Sequence, residues 1–578
     1  MTKSKRIRML PALLALCVAL SACGGDSGTP SSDGGAGQED APQEGTSEAD
    51  AGTDEGADAE GTQAGGEKVL NVVVGKPSVV EDMNTNEASL WLEEVTGIHV
   101  NYEQLPLENI NEKIAMMLAG GELPDVFLNC GITAAQMTQY GVEDQYLIPL
   151  DDLIDQYAPN LIEAMEPFEA QGGMDLLREV DGQIYSLPEI NPCFHCSRAL
   201  KMWVNDQWMQ ELNLEYPTTT EEFKEMLIAF RDNDPNGNGI KDEVPLSGDT
   251  NGWYTQSAYF LLGAFLPMSA YSQGFGLDGG KVVNLSADER FRDALAYLND
   301  LYAEGLMDAG TLTQTNDQLK KLVDNPDAPL VGAATAGYGG QFTTEIGGDR
   351  YRLYRPLAPL KGPEGVQYAY SAPYTPGTGN FVITKDCADP ALAMQWANAL
   401  YTGEACNTIF NGVEGKAWRY AEDGEVGSEG QPALWTALIA YGGDVGSTRN
   451  DCWTQMGVYN FSAEWRAGQT VDPNVDLYSA DGMEFLLYKT TKEMYDQYDM
   501  DDYALPALKL TEDENFTVSP LRTEWNNYFS EMFFNFVTGA WNLDSDWENH
   551  VKNMESVYSM SQMTEAYQAA YDRQYGGK

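Results

Sequence analysis

Val69-Leu-Asn-Val-Val-Val74 and Leu123-Pro-Asp-Val-Phe-Leu128 bracket the stretch that decides the fold. The first is a short, continuously apolar, β-branched run, which reads as a buried strand. Ala88, Trp91, Leu92 and Val95 follow at helical spacing, predicting a helix near 87–96. Ile98, Val100 and Tyr102 then alternate as in a strand, and Ile110, Ile114, Met117 and Leu118 mark a second amphipathic helix. Leu123–Leu128 closes the run as a third strand. Strand and helix in strict alternation are the signature of an open α/β sheet. Ligands of such sheets sit beyond the carboxyl ends of the strands, which places Asn129-Cys130-Gly131 at a cleft rim.

Upstream, Lys3, Lys5, Arg6 and Arg8 precede an apolar run from Met9 to Leu20, too short to span a bilayer and typical of a secretory signal peptide over residues 1–22. The run ends in Leu20-Ser21-Ala22-Cys23, which resembles the lipobox of bacterial lipoproteins. That resemblance implies cleavage before Cys23, lipidation of its sulfur, and anchoring at the outer face of the cytoplasmic membrane. Residues 24–66 hold eleven acids and no base, aromatic or large aliphatic side chain. Such a segment cannot bury enough apolar surface to offset its ordering entropy. Residues 23–66 therefore read as a lipidated cysteine and a disordered acidic tether, with a reach of roughly 35–40 Å as a flexible coil.

Downstream, Ile184–Pro188 reads as a strand before a polar crossing at Glu189–Pro192, and Leu200–Asn205 as another strand with a helix from Gln207. Thr219-Thr-Glu-Glu222 has capping-box spacing, and Phe223, Met226, Leu227 and Phe230 share one face of the helix it opens. Phe291–Tyr302 is a further amphipathic helix. Leu330–Ala334 is a strand ending at Gly337-Tyr338-Gly339-Gly340, and Phe381–Thr384 another, followed by a helix through Ala391, Trp396 and Leu400.

Asp232-Asn-Asp-Pro-Asn-Gly-Asn-Gly-Ile-Lys-Asp-Glu243 puts oxygens at alternate positions, spaced by glycines. A hard cation such as Ca²⁺ takes about 6–8 oxygen ligands, and a loop like this supplies most of them. One register starts at Asp232 and matches the literal EF-hand pattern. A second starts at Asp234 and uses Asn236, Asn238, the Ile240 carbonyl, Asp242 and Glu243. Val244, Pro245, Gly248 and Gly252 follow, so no exit helix starts promptly and the loop is no paired EF-hand.

The net charge of −55 argues against nucleic acid and anionic membrane surfaces as partners, and favours a neutral ligand over an anionic one. Beyond Cys17 and Cys23 there are six cysteines, and only three histidines. Cys193-Phe-His195-Cys196 lacks a second Cys pair, so structural cysteines with one local disulfide are expected in place of zinc.

The order of features resembles extracellular solute-binding proteins of family 1, which feed oligosaccharides to ABC importers. Leu200–Leu214 followed by Pro217-Thr-Thr-Thr-Glu-Glu-Phe223 is similar to the family's strand–helix stretch ending in P-x-T-x-E-E-F. Asp386–Trp396 resembles its "P-E-x-A-x-x-F/W" helix, and Gly412-Val-Glu414-Gly415-Lys416-Ala-Trp418 its G-x-E-G stretch. The family's alginate-binding members carry a calcium loop that matches the second register, implying a structural Ca²⁺ held by Asp234, Asn236, Asn238, Ile240, Asp242 and Glu243. Asn205 stands where the family has a basic residue, which weighs against an acidic sugar.

The resemblance implies a two-lobed, type II periplasmic-binding-protein-like α/β fold. Lobe one would take 68–188 and 357–410, lobe two 189–356 and 411–578, with a hinge and a ligand cleft between them. It implies a monomeric, non-enzymatic binding protein that closes over a carbohydrate and presents it to permease subunits. Sugar sites need flat apolar faces and polar groups for hydroxyls. The candidates are Trp203, Trp253, Tyr254, Tyr338, Trp418 and Trp453 as faces, with Asn129 and Glu189 as polar contacts. A peptide- or partner-binding lipoprotein of the same fold is the first alternative, and a secreted glycoside hydrolase with paired carboxylates the second.

Overall fold

A computed structural model describes residues 68–439 and 448–576. The expected signal peptide, the Cys23 lipidation site and the tether lie outside the described residues. Along the chain run β1 (Val69–Lys76), β2 (His99–Pro106), β3 (Val126–Leu128), β4 (Lys201–Asn205), β5 (Val244–Ser247), β6 (Phe275–Asp278), β7 (Lys281–Asn284), β8 (Val331–Ala336), β9 (Tyr354–Leu357), β10 (Phe381–Ile383), β11 (Trp418–Tyr420) and β12 (Trp435–Ala437).

The opening run forms as expected. Helices Glu87–Thr96 and Ile110–Gly120 connect β1, β2 and β3, which lie parallel, and β10 adds an antiparallel edge in the order β10-β3-β1-β2. A second sheet has the order β5-β8-β4-β9, with β4 antiparallel to both neighbours. All five residues of β4 are buried, because it is a central strand whose two faces are both covered. Helix Thr220–Asp232 starts with the predicted capping box, Thr219 and Glu222 each satisfying the other's backbone N–H. Ile184–Pro188, expected as a strand, is buried but forms none, since regular pairing here reduces to single bridges at Glu189 and Ile190.

Two main cores underlie the sheets. The first gathers the side chains of β1–β3 and β10 with helix Pro390–Ala399 and with Trp453, Met456, Val458 and Tyr459. The second gathers β4, β5 and β8 with helices Glu289–Ala303, Glu512–Thr538, Leu543–Ser556 and Met560–Tyr575. Leu357, Leu360 and Ala369 belong to the second core, not to lobe one as expected. β9 pairs with β4, so the chain stays with the second sheet beyond 357. Trp453–Tyr459 return to the first core for the complementary reason, filling the space beside helices Glu87–Thr96 and Pro390–Ala399.

Candidate functional site

Three segments pass between the two cores at one place. Glu189 and Gly377 exchange backbone hydrogen bonds of 2.7 and 3.1 Å, while Ile190 N donates to Tyr459 O at 2.9 Å and Ile190 O accepts from Phe461 N at 2.7 Å. Glu189 ties these strands of chain together. Its Oε1 accepts from Tyr459 OH at 2.6 Å, its Oε2 from Asn380 Nδ2 at 3.4 Å, and its carbonyl from Tyr374 OH at 2.8 Å. Burial pushes its carboxyl above the usual range despite those bonds.

Asn129 sits at the carboxyl edge of the first sheet, as expected, in left-handed conformation (φ 53°). Its Nδ2 donates to Gly75 O at 2.7 Å and its Oδ1 accepts from Gly457 N at 3.3 Å. Both ends of the amide thus hold backbone.

The matching edge of the second sheet carries the loops after β5 and β8. Asp249, fully buried, accepts from Asn251 N (3.0 Å), Gly252 N (2.6 Å) and Thr255 Oγ1 (2.7 Å) through Oδ1, and from Asn316 Nδ2 (2.9 Å) through Oδ2. Asn316 also donates to Gln341 O, and Gln341 Oε1 accepts from Trp253 N at 2.9 Å. This network presents Trp253, a residue 39% exposed, with its ring beside Tyr338 (6.1 Å) and Tyr254 (5.1 Å). A Cβ on Gly337 would lie 2.0 Å from the Trp253 ring, so only glycine lets the indole rest on the end of β8. Tyr254 continues into a cluster with Tyr271 (5.2 Å) and Tyr370 (5.3 Å).

Trp253, Tyr254 and Tyr338 are therefore brought together. The other three tryptophans are core side chains, each fully buried. Trp203 donates Nε1–H to Ala336 O at 3.0 Å and packs on Phe342 and Tyr351. Trp453 donates to Ser89 Oγ at 2.8 Å beneath Tyr102 and Trp396. Trp418 lies on β11, packed against Tyr420 and Trp465 in a separate small cluster. None offers a face to a ligand. Asn205 also serves locally, its Oδ1 capping helix Asp206–Glu211 through Trp208 N.

At the other end of β5 lies the polar loop. Asp234 accepts from Asn238 N (3.1 Å) and Gly239 N (2.9 Å), and Asp242 from the amides of Asn236 (3.1 Å) and Asn238 (3.0 Å). Both Glu243 carboxylate oxygens are buried without a hydrogen-bond partner. Burial, with Asp234 and Asp242 nearby, raises that carboxyl above its usual range. A buried, unpartnered carboxylate beside two others fits a hard cation. Asp232 is paired with Arg231 at 2.8 and 3.0 Å, which favours the register that starts at Asp234. β5 follows directly in place of an exit helix. Cys193 and Cys196 form the local disulfide.

A family profile described as bacterial extracellular solute-binding protein matches residues 76–405. The chain belongs to that family. The fructooligosaccharide ABC transporter substrate-binding protein FusA of Streptococcus pneumoniae is 24% identical over 550 residues, 88% of this chain and 90% of the relative. Among solved structures, FusA of S. pneumoniae in complex with kestose aligns at TM-score 0.69 and 21% identity over 88% of this chain and all of that one. A human-milk-oligosaccharide (HMO) binding, ABC-transporter-associated solute-binding protein from Bifidobacterium longum infantis aligns at TM-score 0.72 and 19% identity, over 89% and 100%. The fold is the two-domain, periplasmic-binding-protein-like one.

In this solute-binding protein, sequence reasoning missed Asp249, Asn316 and Gln341, which orient Trp253, and Tyr271 and Tyr370, which back Tyr254. The only signal for the first group is the Gly/Asp/Asn-rich run at 248–252. Asn316 and Gln341 are far from it in sequence: hydrogen bonds from Gln314 to Gly248 and from Asn316 to Asn251 bring the first to it, and the end of β8 beside β5 brings the second.

Proposed function

We propose that this solute-binding protein captures a neutral oligosaccharide between its lobes and presents it to the permease subunits of an ABC transporter. The carrying observation is the Trp253–Tyr338 face at the strand ends of the second sheet, in a chain whose two cores are joined at a crossing knotted by Glu189. Lobes joined at such a crossing shift between open and closed forms, and a ligand held by both favours the closed one. The likeness to the fructooligosaccharide-binding FusA and to the HMO-binding protein supports a carbohydrate ligand. We read the chain as a binding protein without turnover. Asp249 and Glu189, the acids at this site, are already engaged by protein donors. Cys23 would carry the lipid and residues 24–66 the tether, holding a monomer at the outer face of the cytoplasmic membrane.

A glycan panel tests this: neutral oligosaccharides should raise the melting temperature with no product released. Turnover, or a response to peptides alone, would replace the reading. Trp253→Ala should weaken glycan binding about tenfold or more, on the order of 1.4 kcal/mol, because it removes an aromatic contact face. Its effect on the unliganded melting temperature should be small, since the residue is 39% exposed.

The loop at Asp234–Glu243 would hold Ca²⁺ as a structural staple, a reading supported by the solved structure of an EF-hand mutant of the relative FusA. The four residues of β5 keep the loop about 13 Å from the cleft edge. Calcium at a hundredfold excess over its Kd should add about 2.7 kcal/mol of stability. Chelation should therefore lower the melting temperature and leave glycan affinity nearly unchanged. Loss of binding with the fold intact would show instead that the ion shapes the cleft.

A further inference from the structure

Helix Met483–Thr490 has two faces. Met483, Leu486 and Leu487 are buried in the core that holds Trp203. Glu484, Phe485 and Tyr488 are half-buried and line a cavity of about 760 Å³. The rings of Phe485 and Tyr488 are nearly parallel (11°, centroids 6.4 Å apart), and Phe194 tilts onto Tyr488 at 5.6 Å. Tyr488 OH is held by Glu429 at 2.9 Å and Lys492 at 2.7 Å. Across the cavity, Arg466 Nη1 lies 3.5 Å from Glu484 and its Nη2 donates to Asn191 Oδ1 at 2.8 Å, beside the crossing. The segment bearing Arg466 is tied through Phe461 to Phe410, a side chain of the first core. The helix wall belongs to the second core. The cavity is thus walled from both lobes.

Its wall is joined by a short stretch of chain to the aromatic face described above. Tyr338 and Ile346 rest on the same core as Met483, and a Cβ on Gly347 would lie 2.9 Å from the backbone N of Ala480, itself a wall residue. The loop from Tyr338 to Gly347 therefore links the Trp253 face to the cavity.

We propose that this cavity is a further sugar subsite, and that the ligand is a chain long enough to run from Trp253 to Tyr488. The inference rests on the oligosaccharide reading. Half-exposed parallel rings offer the apolar C–H face of a sugar a platform, and the carboxylates of Glu429 and Glu484 accept hydroxyls. The paired charges favour an uncharged chain. Such a subsite makes affinity depend on length, because a short glycan fills one part and leaves the other hydrated.

The test titrates the full-length protein with fructo-, malto- and manno-oligosaccharides of two to six units by calorimetry. Two variants perturb the cavity in opposite senses: Tyr488→Ala empties it, and Val475→Trp, at its wall, fills it. Both should weaken the longest binding members about tenfold and leave the shortest unchanged, whereas Trp253→Ala weakens every length. If Tyr488→Ala does not fold, Val475→Trp carries the comparison. Equal loss at all lengths, or no loss, would overturn the subsite alone. Silence of the unmodified protein to all three series would remove the oligosaccharide reading and this proposal together.

Discussion

Trp203→Ala should lower the stability of the protein by about 3–5 kcal/mol, the cost of removing a large buried aromatic ring. Trp203 has no exposed surface, fills the core between Phe342 and Tyr351, and donates to Ala336 O. The loss combines transfer free energy, a cavity the surrounding sheet cannot collapse into, and a buried carbonyl left without its donor. Trp203→Phe should recover most of the packing but not the hydrogen bond, and so fall between. Urea unfolding followed by circular dichroism measures both. An intact midpoint combined with lost glycan binding would show that Trp203 touches ligand and that its burial is only apparent.

Lys509→Met should cost about 3–5 kcal/mol at neutral pH, because it strands a buried charge. Lys509 Nζ donates to Leu177 O (2.9 Å), Arg178 O (2.8 Å) and Glu179 Oε1 (3.0 Å), which ties the second core's Leu510 neighbourhood to the first core's Leu177 turn. Only 3% of the Glu179 side chain is exposed, and its Oε2 has no partner. Burial raises the Glu179 carboxyl and lowers the Lys509 ammonium, so desolvation outweighs pairing on both sides. Without the lysine, the folded carboxyl climbs further above its unfolded value of about 4.3. Between those two values the folded state binds more protons than the unfolded one, so stability falls as pH rises through that window and then levels off. The variant's deficit should be small near pH 4 and full by about pH 8. Chemical unfolding across that range checks it, and adding Glu179→Leu should restore much of the loss. A deficit independent of pH would mean that packing, not the stranded carboxylate, carries the effect.

Much of the fold was legible because it repeats a local period. Val69–Val74 and Leu123–Leu128 are short apolar runs, and the helices between them place Leu92, Ile114 and Leu118 on one face. The polar loop was legible for a similar reason, since its donors lie within ten residues of one another. A neighbour outside the motif bears on its register: Arg231 takes the Asp232 carboxylate. The aromatic face was only half legible. Trp253 and Tyr338 stand among glycines, the usual mark of a loop, whereas Trp418 and Trp453 stand in similar surroundings and are buried. Phe485 and Tyr488 are three residues apart on one helix, and they face a cavity because the segment opposite them packs on the other lobe.

The sequence by itself determined the α/β class, the order of strands and helices, the helix caps, the polar loop and the membership of the family. All of these depend on residues close together in the chain, where spacing fixes geometry. The tertiary structure alone decided which tryptophans are buried, how Asp249, Asn316 and Gln341 meet under Trp253, where the lobes divide beyond Leu357, and that Glu189 is a knot between three segments. Those are contacts between distant residues. Burial depends on what covers a side chain from outside its own element, and no local pattern carries that information.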